Sequence, residues 1–194
     1  MRAIWTRLAP GIATLALALA SGAANAACDF LTGGGFIINN GAKANFGVGG
    51  GCKDGTPTWG HLEYIDHGSG LNVHGTSITA YIEQPGSGFD SKGRPIGVRG
   101  ICGTARTNLP SPNDNVDFVV RARDAGEPGV LDEFDIQLRQ NFKLVYTTVN
   151  AGYPHKLNDG NRGGGNIQLH GPTTGNFSPL DPSTCPANFA SPGG

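Results

Sequence analysis

The sequence predicts an all-β fold: an antiparallel β-sandwich of about ten short strands behind an N-terminal signal peptide. Three observations carry this expectation. After residue 27 the apolar side chains recur at every second position, not at the third and fourth. The 194 residues include 32 glycines and 13 prolines, which interrupt nearly every window long enough for three helical turns. Turn-forming clusters separate the alternating runs at short spacing, as in sandwiches and barrels.

The chain opens with Arg2 and Arg7, a short apolar run over Leu8–Ala20 broken by Pro10 and Gly11, and the small-x-small site Ala24-Asn25-Ala26. That is the pattern of a secretory leader over residues 1–26, since a membrane-spanning helix needs about 20 apolar residues. No second run of this kind follows, so the expected protein is exported and has no transmembrane segment. Cys28 lies close to the cut, but Asn25-Ala26-Ala27 is not the Leu-led box that precedes a lipidated cysteine.

The clearest strand is Val116, Phe118, Val120 and Ala122, with Asp117, Arg121 and Arg123 facing the other way. Phe134, Ile136 and Leu138 alternate likewise with Asp135, Gln137 and Arg139. Between these runs, Asp124-Ala125-Gly126-Glu127-Pro128-Gly129 reads as a turn in which Pro-Gly suits type II. Further strands are expected over 36–39, 43–48, 59–66, 71–74, 77–83, 96–106, 142–149 and 166–170. Residues 27–170 then form one domain, and 171–194 form a Pro-rich tail. The triplets Gly33-Gly34-Gly35 and Gly163-Gly164-Gly165 echo each other. They mark either a duplicated half or two strands whose backbones come close.

Four cysteines, Cys28, Cys52, Cys102 and Cys185, lie beyond the leader. An even number in an exported chain points to two disulfides, expected as Cys28 with Cys52 and Cys102 with Cys185, although four cysteines allow three connectivities. Neither pair has the CxxC spacing of a redox or zinc site. Charged residues make up 15% of the chain and the net charge is −1, so no basic field exists to hold nucleic acid.

Several of these segments, in order, resemble the post-COAP-1 domain of exported bacterial proteins. They are Thr32-Gly33-Gly34-Gly35-Phe36-Ile37, Lys43-Ala44-Asn45-Phe46-Gly47, Gly60-His61-Leu62 with Tyr64, Asp66 and His67, and Leu71-Asn72-Val73-His74. The match resumes in Asp124 to Gly129 with Asp132 and Phe134, and ends in Gly163 to His170. The resemblance implies a surface-associated module, often found beside anchoring or adhesin-like units, and brings no catalytic residue with it.

Two constellations suggest metal chemistry. His61 and His67 are six apart with Glu63 between them, and His74 lies on the next strand, so zinc or copper could be held by these histidines with Glu63 or Asp66. Histidines of this kind also close hydrogen-bond networks at turns. Asp124, Glu127 and Asp132, with Glu133 and Asp135, could supply oxygens to calcium, but they lack EF-hand spacing and equally suit a solvated turn.

Catalytic motifs are missing: there is no GxSxG elbow, and Gly47-Val48-Gly49-Gly50-Gly51 lacks the GK[ST] of a phosphate loop. Asn176-Phe177-Ser178 matches a glycosylation tripeptide but is followed by Pro179. Trp59, Tyr64, Tyr81 and Tyr153 could form a sugar-stacking platform if two of them share a face. The expected function is non-enzymatic: adhesion, envelope structure or binding of an extracellular polysaccharide or protein. The alternatives are a metal-binding β-protein and an extracellular hydrolase.

Overall fold

The computed structural model describes residues 28–53, 56–150, 152–158 and 163–173. The expected leader, Cys185, the glycosylation tripeptide and the tail beyond 173 lie outside the described residues. Ten strands follow in order: β1 (Cys28–Asn39), β2 (Ala42–Lys53), β3 (Thr56–Asp66), β4 (Leu71–Glu83), β5 (Gly88–Phe89), β6 (Pro95–Thr107), β7 (Asn115–Asp124), β8 (Glu133–Gln140), β9 (Lys143–Thr147) and β10 (Gly164–Thr173). No helix occurs among the described residues, so none there is long and apolar enough to cross a membrane.

The fold is all-β, as expected, but the two layers come from one sheet. Its antiparallel order is β10-β1-β2-β3-β4-β6-β7-β8-β9, with β5 beside β6. The segments expected as separate strands over 71–74 and 77–83 are continuous in β4. The pairing of β4 with β6 slips between Gly75 and Ser77 and again between Ile78 and Ala80. Bulges of this kind bend a strand and sharpen its twist, so one sheet can double over without ending.

The inward positions meet across the fold. Phe46 of β2 stacks on Phe134 of β8 with ring centroids 3.9 Å apart. A methyl group on Gly50 of β2 would come within 2.8 Å of the Ile101 side chain of β6, so any larger residue there would force Ile101 to move. Around these contacts Leu31, Ile37, Leu62, Val73, Phe118, Val120, Ile136, Leu138 and Ile167 complete a buried core.

Turn chemistry explains the short connections. Asn39 pairs with Ala42 across Asn40 (φ 49°) and Gly41 (φ 83°), the type I′ turn that Asn-Gly favours. Gln140 pairs with Lys143 in the same way across Asn141 (φ 50°) and Phe142 (φ 64°). Phe142, expected to begin a strand, therefore sits at the hairpin tip, 97% exposed. The Asp124–Gly129 turn is not type II. Its Glu127–Pro128 peptide is cis, and Gly129 N donates to Gly126 O at 3.0 Å, so Pro128 occupies the third turn position, as in type VI.

The echoed glycine triplets prove to be neighbours. Gly34 pairs with Asn166, Gly35 with Gly165, and Phe36 with Gly164. A side chain on Gly35 would collide with the carbonyl oxygen of Gly164, and one on Gly165 with that of Gly34, so close backbone approach requires glycine at these two positions. Cys28 and Cys52 form the expected disulfide, joining the start of β1 to the end of β2 with Cα atoms 5.5 Å apart. Cys102 is also disulfide-bonded; its expected partner, Cys185, is outside the described residues.

Candidate binding face

The acidic turn uses its carboxylates inside the fold. Asp132 is fully buried; its Oδ1 accepts from Ala125 N at 2.9 Å and its Oδ2 from Ile167 N at 2.8 Å. Asp124 accepts from Gly126 N and, at 2.7 Å, from Leu169 N. Ile167 and Leu169 belong to β10, which has a backbone neighbour, β1, on one side only. The two carboxylates thus take the N–H groups of an edge strand that would otherwise be open. Glu127 accepts from Asn166 Nδ2 at 3.3 Å. Burial, followed by the charges of Asp124 and Glu127, outweighs the two backbone N–H donors and pushes Asp132 up to about 6.

The histidines divide differently. Glu63 pairs with His74 across β3 and β4, and His61 lies two residues before Glu63 on the same outward side. Glu63 Oε1 lies 3.0 Å from His61 Nε2 and 2.5 Å from His74 Nδ1. The three ligand atoms lie within 4.8 Å of one another, and all three residues are exposed. His67 does not join them. Its strand ends at Asp66, whose Oδ1 accepts from Gly68 N at 2.8 Å to close the turn, and His67 instead meets Asn45 Oδ1 at 2.9 Å.

Asp66 is also committed, buried where Tyr146 donates to it at 2.7 Å and Asn39 at 3.3 Å. Burial raises its pKa, but the donors Tyr146, Gly68 and Ser69 prevail and hold the carboxyl below the usual 3.8.

The tyrosines expected as a stacking platform are separated by strand alternation. Tyr64 and Tyr81 point into the core and are at most 8% exposed. Trp59 faces outward and meets Phe30 edge-on, with centroids 5.6 Å apart, while Phe30 stacks on His170 at 4.3 Å. His170 bonds Thr32 Oγ1 at 2.8 Å; its pKa is held below 6.5 by burial first and the Lys53 ammonium second.

The outer face also holds a cleft that the sequence did not announce. Thr104 pairs with Asp117, and Asp117 with Arg139, so one row of outward residues crosses β6, β7 and β8. With Thr76, Asn115, Gln140 and Asn141 these residues line an open cavity of about 280 Å³. The two threonine hydroxyls bond each other at 2.7 Å. Arg139 donates one guanidinium N–H to Gln137 at 3.3 Å, while its buried Nε has no acceptor among the described residues. A buried N–H left unpaired costs free energy.

No family model, curated protein or solved structure matches the chain.

Proposed function

We propose that the protein is an exported, non-enzymatic β module that binds a hydroxyl-rich extracellular polymer, a polysaccharide, in the cleft around Arg139. The observation carrying this reading is the open polar cavity that Arg139 lines with Thr76, Thr104, Asn115 and Asp117. Two hydroxyls, three amides, one carboxylate and a guanidinium are the donor and acceptor set that reads sugar hydroxyls and ring oxygens. The cleft is lined by a single carboxylate, Asp117, whereas glycoside hydrolysis usually employs two facing carboxyl groups; this favours binding over cleavage. Export is supported by the Cys28–Cys52 disulfide and the leader-like opening of the sequence.

The test is a pull-down and affinity-electrophoresis panel of cellulose, chitin, xylan, alginate and peptidoglycan. At least one polymer should retain the protein, and Arg139→Met, which keeps the apolar stem and removes the donors, should weaken that binding at least about tenfold. Retention by none of them, or equal retention of the variant, would refute the reading.

A further inference from the structure

Five histidines occur in the chain, and three are already committed. His67 is bonded to Asn45, His170 to Thr32, and buried His155 to Asp135 at 2.7 Å. The other two, His61 and His74, converge on one carboxylate oxygen from neighbouring strands of the sheet.

We infer that His61, Glu63 and His74 form a three-ligand site for a divalent transition metal of the zinc class, with an open coordination position toward solvent. The argument rests on donors, spacing and support. Two imidazoles and one carboxylate suit zinc, copper or nickel, whereas calcium takes six to eight oxygens. Zinc held tetrahedrally at 2.0–2.1 Å sets its ligand atoms roughly 3.3 Å apart. The three atoms here already lie within 4.8 Å of one another, so modest side-chain rotation closes the set.

The scaffold is suited to holding that geometry. All three residues sit inside strands rather than on a loop, and the direct pairing of Glu63 with His74 fixes one side of the triangle. Glu63 Oε1 lies within hydrogen-bond reach of His61 Nε2 and His74 Nδ1; to ligate a metal through those same nitrogens, each neutral imidazole carries its proton on its other ring nitrogen. Gly47, the β2 partner of Glu63, has open space where a side chain would stand, so nothing on that side crowds an incoming ligand. Three protein ligands leave at least one position for water or an outside donor, as in open zinc sites. On the other side His74 pairs with Arg106, and Arg106 with Asn115, which lines the Arg139 cleft.

The inference does not depend on polysaccharide binding, and its test uses the metal alone. Chelator-treated protein with its disulfides intact is titrated with Zn(II) by calorimetry, and the imidazole nitrogens are followed by NMR. The expected result is one Zn(II) per chain, shifts at His61 Nε2 and His74 Nδ1, at least tenfold weaker binding in His61→Ala and His74→Ala, and unchanged binding in His67→Ala. All three positions are exposed, so circular dichroism of each variant should match the wild type. Absence of one-to-one binding, retained affinity in the His61→Ala/His74→Ala double variant, or shifts confined to other histidines would overturn the assignment.

Discussion

The acidic turn and the histidine cluster look alike as residue lists, each a group of metal-capable side chains, yet the fold treats them in opposite ways. Asp124 and Asp132 are buried and have each oxygen engaged by a backbone N–H. His61, Glu63 and His74 are exposed, and among the described residues their side chains hydrogen-bond one another. The difference shows that ligand potential depends less on residue type than on whether the lone pairs are already used. The acidic turn secures an edge strand, while the outer face keeps its polar atoms available.

The largest effect that could break this comparison is on stability. Asp132→Ala leaves the N–H groups of Ala125 and Ile167 without their acceptor, at about 1–3 kcal/mol each, so denaturant unfolding should show a loss of roughly 2–5 kcal/mol. A loss under 1 kcal/mol would mean that β10 is held by other means. By contrast, Glu63→Gln should leave stability within about 0.5 kcal/mol of the wild type, as expected for an exposed position.

A pH series sharpens the same contrast. The Asp132 value of about 6 lies above the ordinary 3.8, so this group binds its proton more tightly in the folded state. Its contribution to stability is complete below about pH 4 and is lost as pH rises through 6. The stability gap between wild type and Asp132→Ala should therefore narrow from pH 4 to pH 7. Carboxyl carbon NMR should find the Asp132 midpoint near 6 and that of Asp66 below 3.8. An Asp132 midpoint near 4 would show that its backbone donors outweigh burial.

The smallest expected effect is none: millimolar calcium should not raise the unfolding temperature, because the oxygens of Asp124 and Asp132 are engaged. A rise would show that the turn can release them.

Local alternation made much of the fold readable in advance. Val116 to Ala122 and Phe134 to Leu138 became β7 and β8 because a period of two leaves one face apolar whatever the neighbours are. What remained hidden depends on register. Nothing local shows that Gly35 pairs with Gly165, more than a hundred residues away, or that the strands form a single sheet.

The candidate site was half visible for the same reason. His61, Glu63 and His74 stood on adjacent predicted strands, so their convergence needed only a hairpin; His67 was lost to them because Asp66 closes the turn one residue earlier. Arg139 was readable as an outward residue of its strand. Its unsatisfied Nε became visible only once Thr104, Asp117 and Arg139 were aligned across three strands.

The most direct test of the division between a spent turn and an available outer face is amide chemical-shift mapping during titration with soluble xylan and alginate fragments. The account predicts shifts at Thr76, Thr104, Asn115, Asp117 and Arg139, with Ile167 and Leu169 unmoved. Shifts centred on Ile167, Leu169 and the Asp124–Asp132 turn, or none at the cleft with either polymer, would contradict it.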